Sequence, residues 1–170
     1  MLKGGFPAMD FTFGVEANPL ISEIQEFSIL LSANLKLIET VEVTYIYQDE
    51  NDANTAISLL KEAELFEALH PLIVLDSGFI GECFFDYGFN GQKRTYLYKE
   101  LLTAFFLSGD NLQLEMAKLQ VDEHLVYKTN MRGNEVFFVE QQFSTLMEGI
   151  AAAYNCKLSF LNLDKWKKKL

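Results

Sequence analysis

The sequence predicts an α+β fold: a single domain over residues 1–170, with a mixed, partly antiparallel sheet and about four helices. Three observations predict it. The 170 residues fit one domain, for which roughly 100–200 is usual. An apolar share of 49%, including 15 Phe, supplies a core large enough to offset chain entropy. Along the chain the apolar spacing switches between period two and period 3.6, the signatures of strands and helices.

Met9, Phe11, Phe13 and Val15 alternate with Asp10, Thr12 and Gly14, which predicts a strand with one buried face. Asn18-Pro19 opens a helix, since Asn caps and Pro is preorganised at the first helical position. Leu20, Ile24, Phe27 and Leu31 form its stripe. Val41, Val43, Tyr45 and Tyr47 alternate as a second strand. Asp49-Glu50-Asn51-Asp52 makes a polar turn and cap, after which Ala56, Leu59, Leu60, Ala63 and Phe66 recur at helical spacing. That helix is expected to run up to His70-Pro71, where proline stops it. Leu72-Ile73-Val74-Leu75 suits a central strand, completing a β-α-β-α-β order.

Four glycines, Gly78, Gly81, Gly88 and Gly91, surround Glu82-Cys83-Phe84-Phe85-Asp86-Tyr87 and predict a strand or hairpin between turns. Tyr96 to Leu107 is apolar nearly all round and reads as a buried helix ended by Gly109. Leu112, Leu114 and Met116 begin an extended stretch. His124 to Thr129 and Glu135 to Val139 flank Asn130-Met131-Arg132-Gly133-Asn134 as a hairpin. A last helix carries Phe143, Leu146, Met147, Ile150, Ala151 and Tyr154 on one face, and Leu158 to Leu161 forms the final strand. Residues 1–8 read as a loose leader and 164–170, with Lys165-Trp166-Lys167-Lys168-Lys169, as a basic tail. No internal repeat is visible.

Charge is the strong asymmetry. Between Glu39 and Asp86 stand eleven acids and one base, Lys61, so this segment carries a net charge equal to the −10 of the whole chain. Asp49, Glu50, Asp52, Glu62, Glu64, Glu67, Asp76, Glu82 and Asp86 are the expected docking residues for a basic protein partner, because clustered like charge steers a complementary surface. The same excess disfavours nucleic acid, whose phosphates need clustered Lys and Arg. No apolar run approaches the ~18 residues of a membrane span, and the N-terminus lacks a secretory signal. Cys83 and Cys156 read as buried free thiols of a reducing, cytoplasmic compartment.

Catalytic and cofactor signatures are sparse. His70 and His124 stand alone, without Cys or carboxylate at zinc spacing. Asp49 to Asp52 lacks the glycine and distal Glu of a calcium loop. Gly78-Phe79-Ile80-Gly81 and Gly88-Phe89-Asn90-Gly91 fall short of a phosphate loop and read as turn glycines. No nucleophile motif is present, and no cofactor, metal or catalytic residue is expected. These readings favour a non-catalytic binding protein, an inhibitor or immunity-type protein, over an enzyme. The alternatives are a carboxylate-based enzyme using Asp76, Glu82 and Asp86, or a structural subunit assembling as a homo-oligomer.

Overall fold

Alternation at the N-terminus produces β1 (Asp10–Ala17), as expected. The computed structural model describes residues 9–164; the expected leader and all of the tail beyond Asp164 lie outside the described residues. Asn18 accepts from the Leu20 N–H at 3.0 Å and so caps the element that begins at Pro19. This element is a 3-10 turn (Pro19–Glu23), separated by a non-helical break at Ile24 from α1 (Gln25–Ser32). The break rotates the helical face: Ile21 and Leu31 are buried, while Leu20 and Ile24 of the expected stripe are exposed.

The expected second strand is a hairpin, β2 (Leu37–Val41) and β3 (Thr44–Tyr47), turning at Glu42 with φ 54°. Asp49 caps α2 (Glu50–Glu62), accepting from the Asn51 N–H at 2.9 Å. The helix does not reach the proline. It ends before Glu64, at φ 58°, and Phe66–Leu75 is one long strand, β4.

Three elements occupy the glycine-rich stretch: β5 (Phe79–Ile80), the single turn α3 (Phe84–Tyr87) and β6 (Gly88–Asn90). The expected buried helix over Tyr96 to Leu107 is instead two strands, β7 (Thr95–Tyr98) and β8 (Leu102–Ser108), joined by a 3-10 turn. Strands buried on both faces yield the same unbroken apolar run as a buried helix. Conversely, the expected extended stretch after Gly109 is α4 (Asn111–Asp122). It buries Ala117 and Val121 and leaves Leu112, Met116 and Leu119 exposed, so its apparent alternation came from the solvent side. The hairpin β9 (Leu125–Met131) and β10 (Asn134–Glu140) turns through Arg132 and Gly133, both at positive φ. Helix α5 (Ser144–Ala153) and β11 (Lys157–Leu161) fall where expected.

The α+β class holds, with five α-helices among the described residues and two sheets in place of one mixed sheet. Their orders are β2-β3-β1-β4-β7-β6 and β11-β8-β10-β9-β5, and every pairing is antiparallel. A duplication of architecture emerges. β1-α1-β2-β3-α2-β4 and β8-α4-β9-β10-α5-β11 are both split β-α-β units, with the same spatial order of corresponding strands. The segment between them adds the β6–β7 hairpin to the edge of β4, and β5 to the edge of β9. Pro71 is tolerated inside β4 because β7 pairs only from Leu72 onward, leaving position 71 a ladder partner on one side, Phe13.

Helices α1 and α2 cover Phe13, Val15, Tyr45 and Tyr47, and the Tyr47 hydroxyl donates to the Leu31 carbonyl at 2.6 Å. In the second unit Val121 and Met147 cover Phe105, Phe137 and Val139. Phe11 and Ile73 are paired and so share the sheet face of Phe13, but they and Leu75 pack against Ala104, Val126, Val136 and Phe138 of the second sheet. One face of the first sheet therefore holds its own helices at one end and the second unit at the other. On its opposite face Ile46, Leu72, Val74 and Tyr96 are buried with Phe89 and Tyr98 against them.

Candidate functional site

Burial of that second face requires the first sheet to curl, and Glu39 shows how. It lies on edge strand β2, yet its carboxylate accepts from the Tyr96 hydroxyl at 2.7 Å and the Gln92 N–H at 2.9 Å. Both donors belong to the β6–β7 side of the sheet, so the carboxylate clasps the two edges together. A Cβ on Gly91 would stand 2.5 Å from this carboxylate, so a larger residue there would have to displace the Glu39 side chain. Burial, and then the bond to Glu39, holds the Tyr96 phenol far above its usual range.

Of the nine acids expected to form a docking face, four are tied to local partners. Asp49 caps α2, Asp52 accepts from the Lys36 N–H at 2.8 Å, and Glu67 accepts from the Asn18 amide at 2.8 Å. Asp76 faces Arg94 at 3.5 Å. Glu50, Glu62, Glu64 and Glu82 are exposed. At 1.5 Å per residue, the acidic ends of α2 lie roughly 20 Å apart. Asp86 lines a concave site.

That site is a hollow of about 390 Å³ beside the junction of the two units, lined by Glu16, Leu69, His70, Pro71, Asp86, Tyr98, Glu100 and Leu101. β1 supplies Glu16, β4 supplies Leu69 to Pro71, and β7 with the turn after it supplies Tyr98, Glu100 and Leu101. Pairing of Gly14 with His70 sets Glu16 diagonally opposite the imidazole, and His70 Nε2 meets Glu16 Oε2 at 2.8 Å. The Tyr98 ring lies 5.0 Å from that of His70. Burial, followed by the charges of Glu16 and Glu42, raises the Tyr98 phenol pKa, so it remains a neutral donor at physiological pH. Next to the hollow, buried Lys99 is held by Asp164 at 3.1 Å and sits over the Phe11 ring.

No family model, curated protein or solved structure matches this chain.

The chemistry of the hollow follows from its walls. Three acidic residues, Glu16, Asp86 and Glu100, share its walls with Leu69, Pro71, Leu101 and Tyr98, which suits a group with an apolar stem and a cationic head. Sequence reasoning misses most of this. It places His70 at a helix end, and Glu16, Tyr98 and Glu100 carry no motif. Period-two spacing through Phe66, Ala68, His70, Leu72 and Val74 is the available signal, but it overlaps a helical stripe ending at Phe66.

Elsewhere, His124 packs against Phe143 with ring centroids 4.9 Å apart. A Cβ on Gly81 would stand 1.9 Å from the Leu125 carbonyl oxygen, so this glycine serves close packing on β9. Cys83 and Cys156 are half-buried free thiols. Among the described residues no three His, Cys, Asp or Glu side chains stand together as metal ligands. Among them, too, no helix is long and apolar enough to cross a membrane.

Proposed function

We propose that this chain is a non-catalytic binding protein that captures a basic group of a partner protein, in the manner of an inhibitor or immunity protein. The observation that carries the reading is the convergence of Glu16, Asp86 and Glu100 on one hollow with apolar walls. An arginine or lysine from the partner lays its stem along Leu69, Pro71 and Leu101 and presents its charge to the carboxylates. Acids outside the hollow, Glu50, Glu62, Glu64 and Glu82 among them, add long-range attraction instead of contacts. Free thiols at Cys83 and Cys156 support placement in a reducing, cytoplasmic compartment.

The test is calorimetric titration with an amidated Arg/Lys hexapeptide at low and moderate salt, on the native chain and on the double variant Asp86→Asn, Glu100→Gln. Saturable binding that weakens with salt, and about tenfold or more in the variant, is expected for loss of charge-assisted contacts. Equal affinity in both proteins, or no saturation at millimolar peptide, overturns the reading. A second reading, an enzyme using proton transfer, draws on the 2.8 Å His70–Glu16 pair in place of the Asp76, Glu82 and Asp86 set.

A further inference from the structure

Duplication of the split β-α-β unit exposes a difference between its two copies. In the first unit the outer edge of β4 is covered by β7, antiparallel, with Leu72 opposite Tyr98. In the second unit the outer edge of β9 is covered by β5, with Phe79 opposite Lys128. The outer edge of β2 is clasped through Glu39 to the β6–β7 hairpin, which forms the other end of that sheet. β11 stands where β4 stands in the first unit, and among the described residues its outer edge has no strand partner.

Proteins guard open edges with Pro, bulges, inward charges or very short strands. β11 has neither of the first two: it pairs with β8 over five consecutive positions without a register shift, and its one charge is Lys157 at the start. Phe160 is 37% exposed and packs edge-on against Phe105. Charge does not oppose a like partner here. Residues 143–163 hold one acid, Glu148, and one base, Lys157, in a chain of net −10.

We propose that β11 pairs antiparallel with β11 of a second copy, joining two second-unit sheets across a two-fold axis near Ser159. An antiparallel edge is self-complementary, so the contact closes at two copies. It sets Leu158 of each copy opposite Phe160 of the other, and both belong to the face on which Phe105 and Leu107 lie. The first unit shows that this edge of the architecture accepts an antiparallel strand.

Sedimentation velocity over protein concentrations from about 5 to 500 µM tests the pairing by mass action. The native chain is expected to move from 19.4 kDa to twice that mass. Phe160→Lys, which adds the charge that natural edges use, is expected to raise the association midpoint at least about tenfold. A native chain that stays monomeric overturns the proposal, as does a folded variant that associates equally well. Should the variant fail to fold, hydrogen exchange of the native chain decides. Alternate β11 amides gain protection with concentration if the strands pair, and concentration-independent exchange refutes it.

Discussion

Replacement of Glu39 by alanine removes the clasp between the two edges of the first sheet. Two acceptor bonds vanish, one to the fully buried Tyr96 and one to the exposed Gln92 backbone. A bond to a charged group contributes about 1.5–3 kcal/mol, and an orphaned buried donor costs about 1–3 kcal/mol. The Tyr96 bond dominates because water can replace the acceptor at Gln92. Together they set an expected loss of about 3 kcal/mol, a large share of the roughly 5–15 kcal/mol that holds a typical domain folded. Urea denaturation followed by far-UV circular dichroism measures it. With a slope of about 2 kcal/mol/M, the midpoint falls by about 1.5 M. A cycle with Tyr96→Phe isolates the cause. Without the hydroxyl no donor is orphaned, so Glu39→Ala should then cost about 1 kcal/mol, a coupling of about 2 kcal/mol. A midpoint shift under about 0.3 M, or equal losses on both backgrounds, would refute the clasp.

The Thr12 hydroxyl is buried without a hydrogen-bond partner. Thr12→Val should therefore be neutral or stabilise by about 1 kcal/mol, and a loss on thermal melting would show that the hydroxyl has a role. Stability should also decline at alkaline pH. Tyr47 and Tyr96 are raised chiefly by burial, and Tyr87, through its bond to Glu140, is pushed up to about 12 from 10.0. The unfolded chain releases these protons near pH 10 while the folded chain keeps them. Their stabilisation is thus complete below about pH 10 and declines above it, through about pH 12 for Tyr87 and beyond that for Tyr47 and Tyr96. Melting temperatures that stay level across that window contradict this, and Tyr47→Phe should flatten part of the decline.

Elements specified by their own residues are legible in the sequence alone. Asn18 and Asp49 cap where caps are expected, because a short polar side chain satisfies orphan N–H groups within its own turn. Arg132-Gly133 turns the β9–β10 hairpin through positive φ, which glycine permits locally. Helix α5 shows its buried stripe, with Met147 and Ala151 in the core. The candidate site is scarcely visible there. Of its residues only Asp86 stands out as a candidate, since Glu16, His70 and the Tyr98–Glu100 stretch are far apart in the chain and meet through strand register.

Two segments went the other way, each for a tertiary reason. Glu64 to Leu69 is rich in helix formers, yet Phe66 onward is β4, because pairing with β1 supplies a ladder that outweighs propensity. Tyr96 to Leu107 forms strands with both faces covered. Contact between the two units covers one face, and the other is covered in β7 by the curl of the first sheet and in β8 by the helices of the second unit. The duplicated units share strand order without a visible sequence repeat, since burial constrains only which positions are apolar. What this sequence determined by itself is its α+β class, its caps, its tight turn and its acidic balance, all set by neighbouring residues or by composition. Strand order, the curl clasped by Glu39 and the hollow at His70 were decided only in the tertiary structure, because each depends on residues brought together from distant parts of the chain.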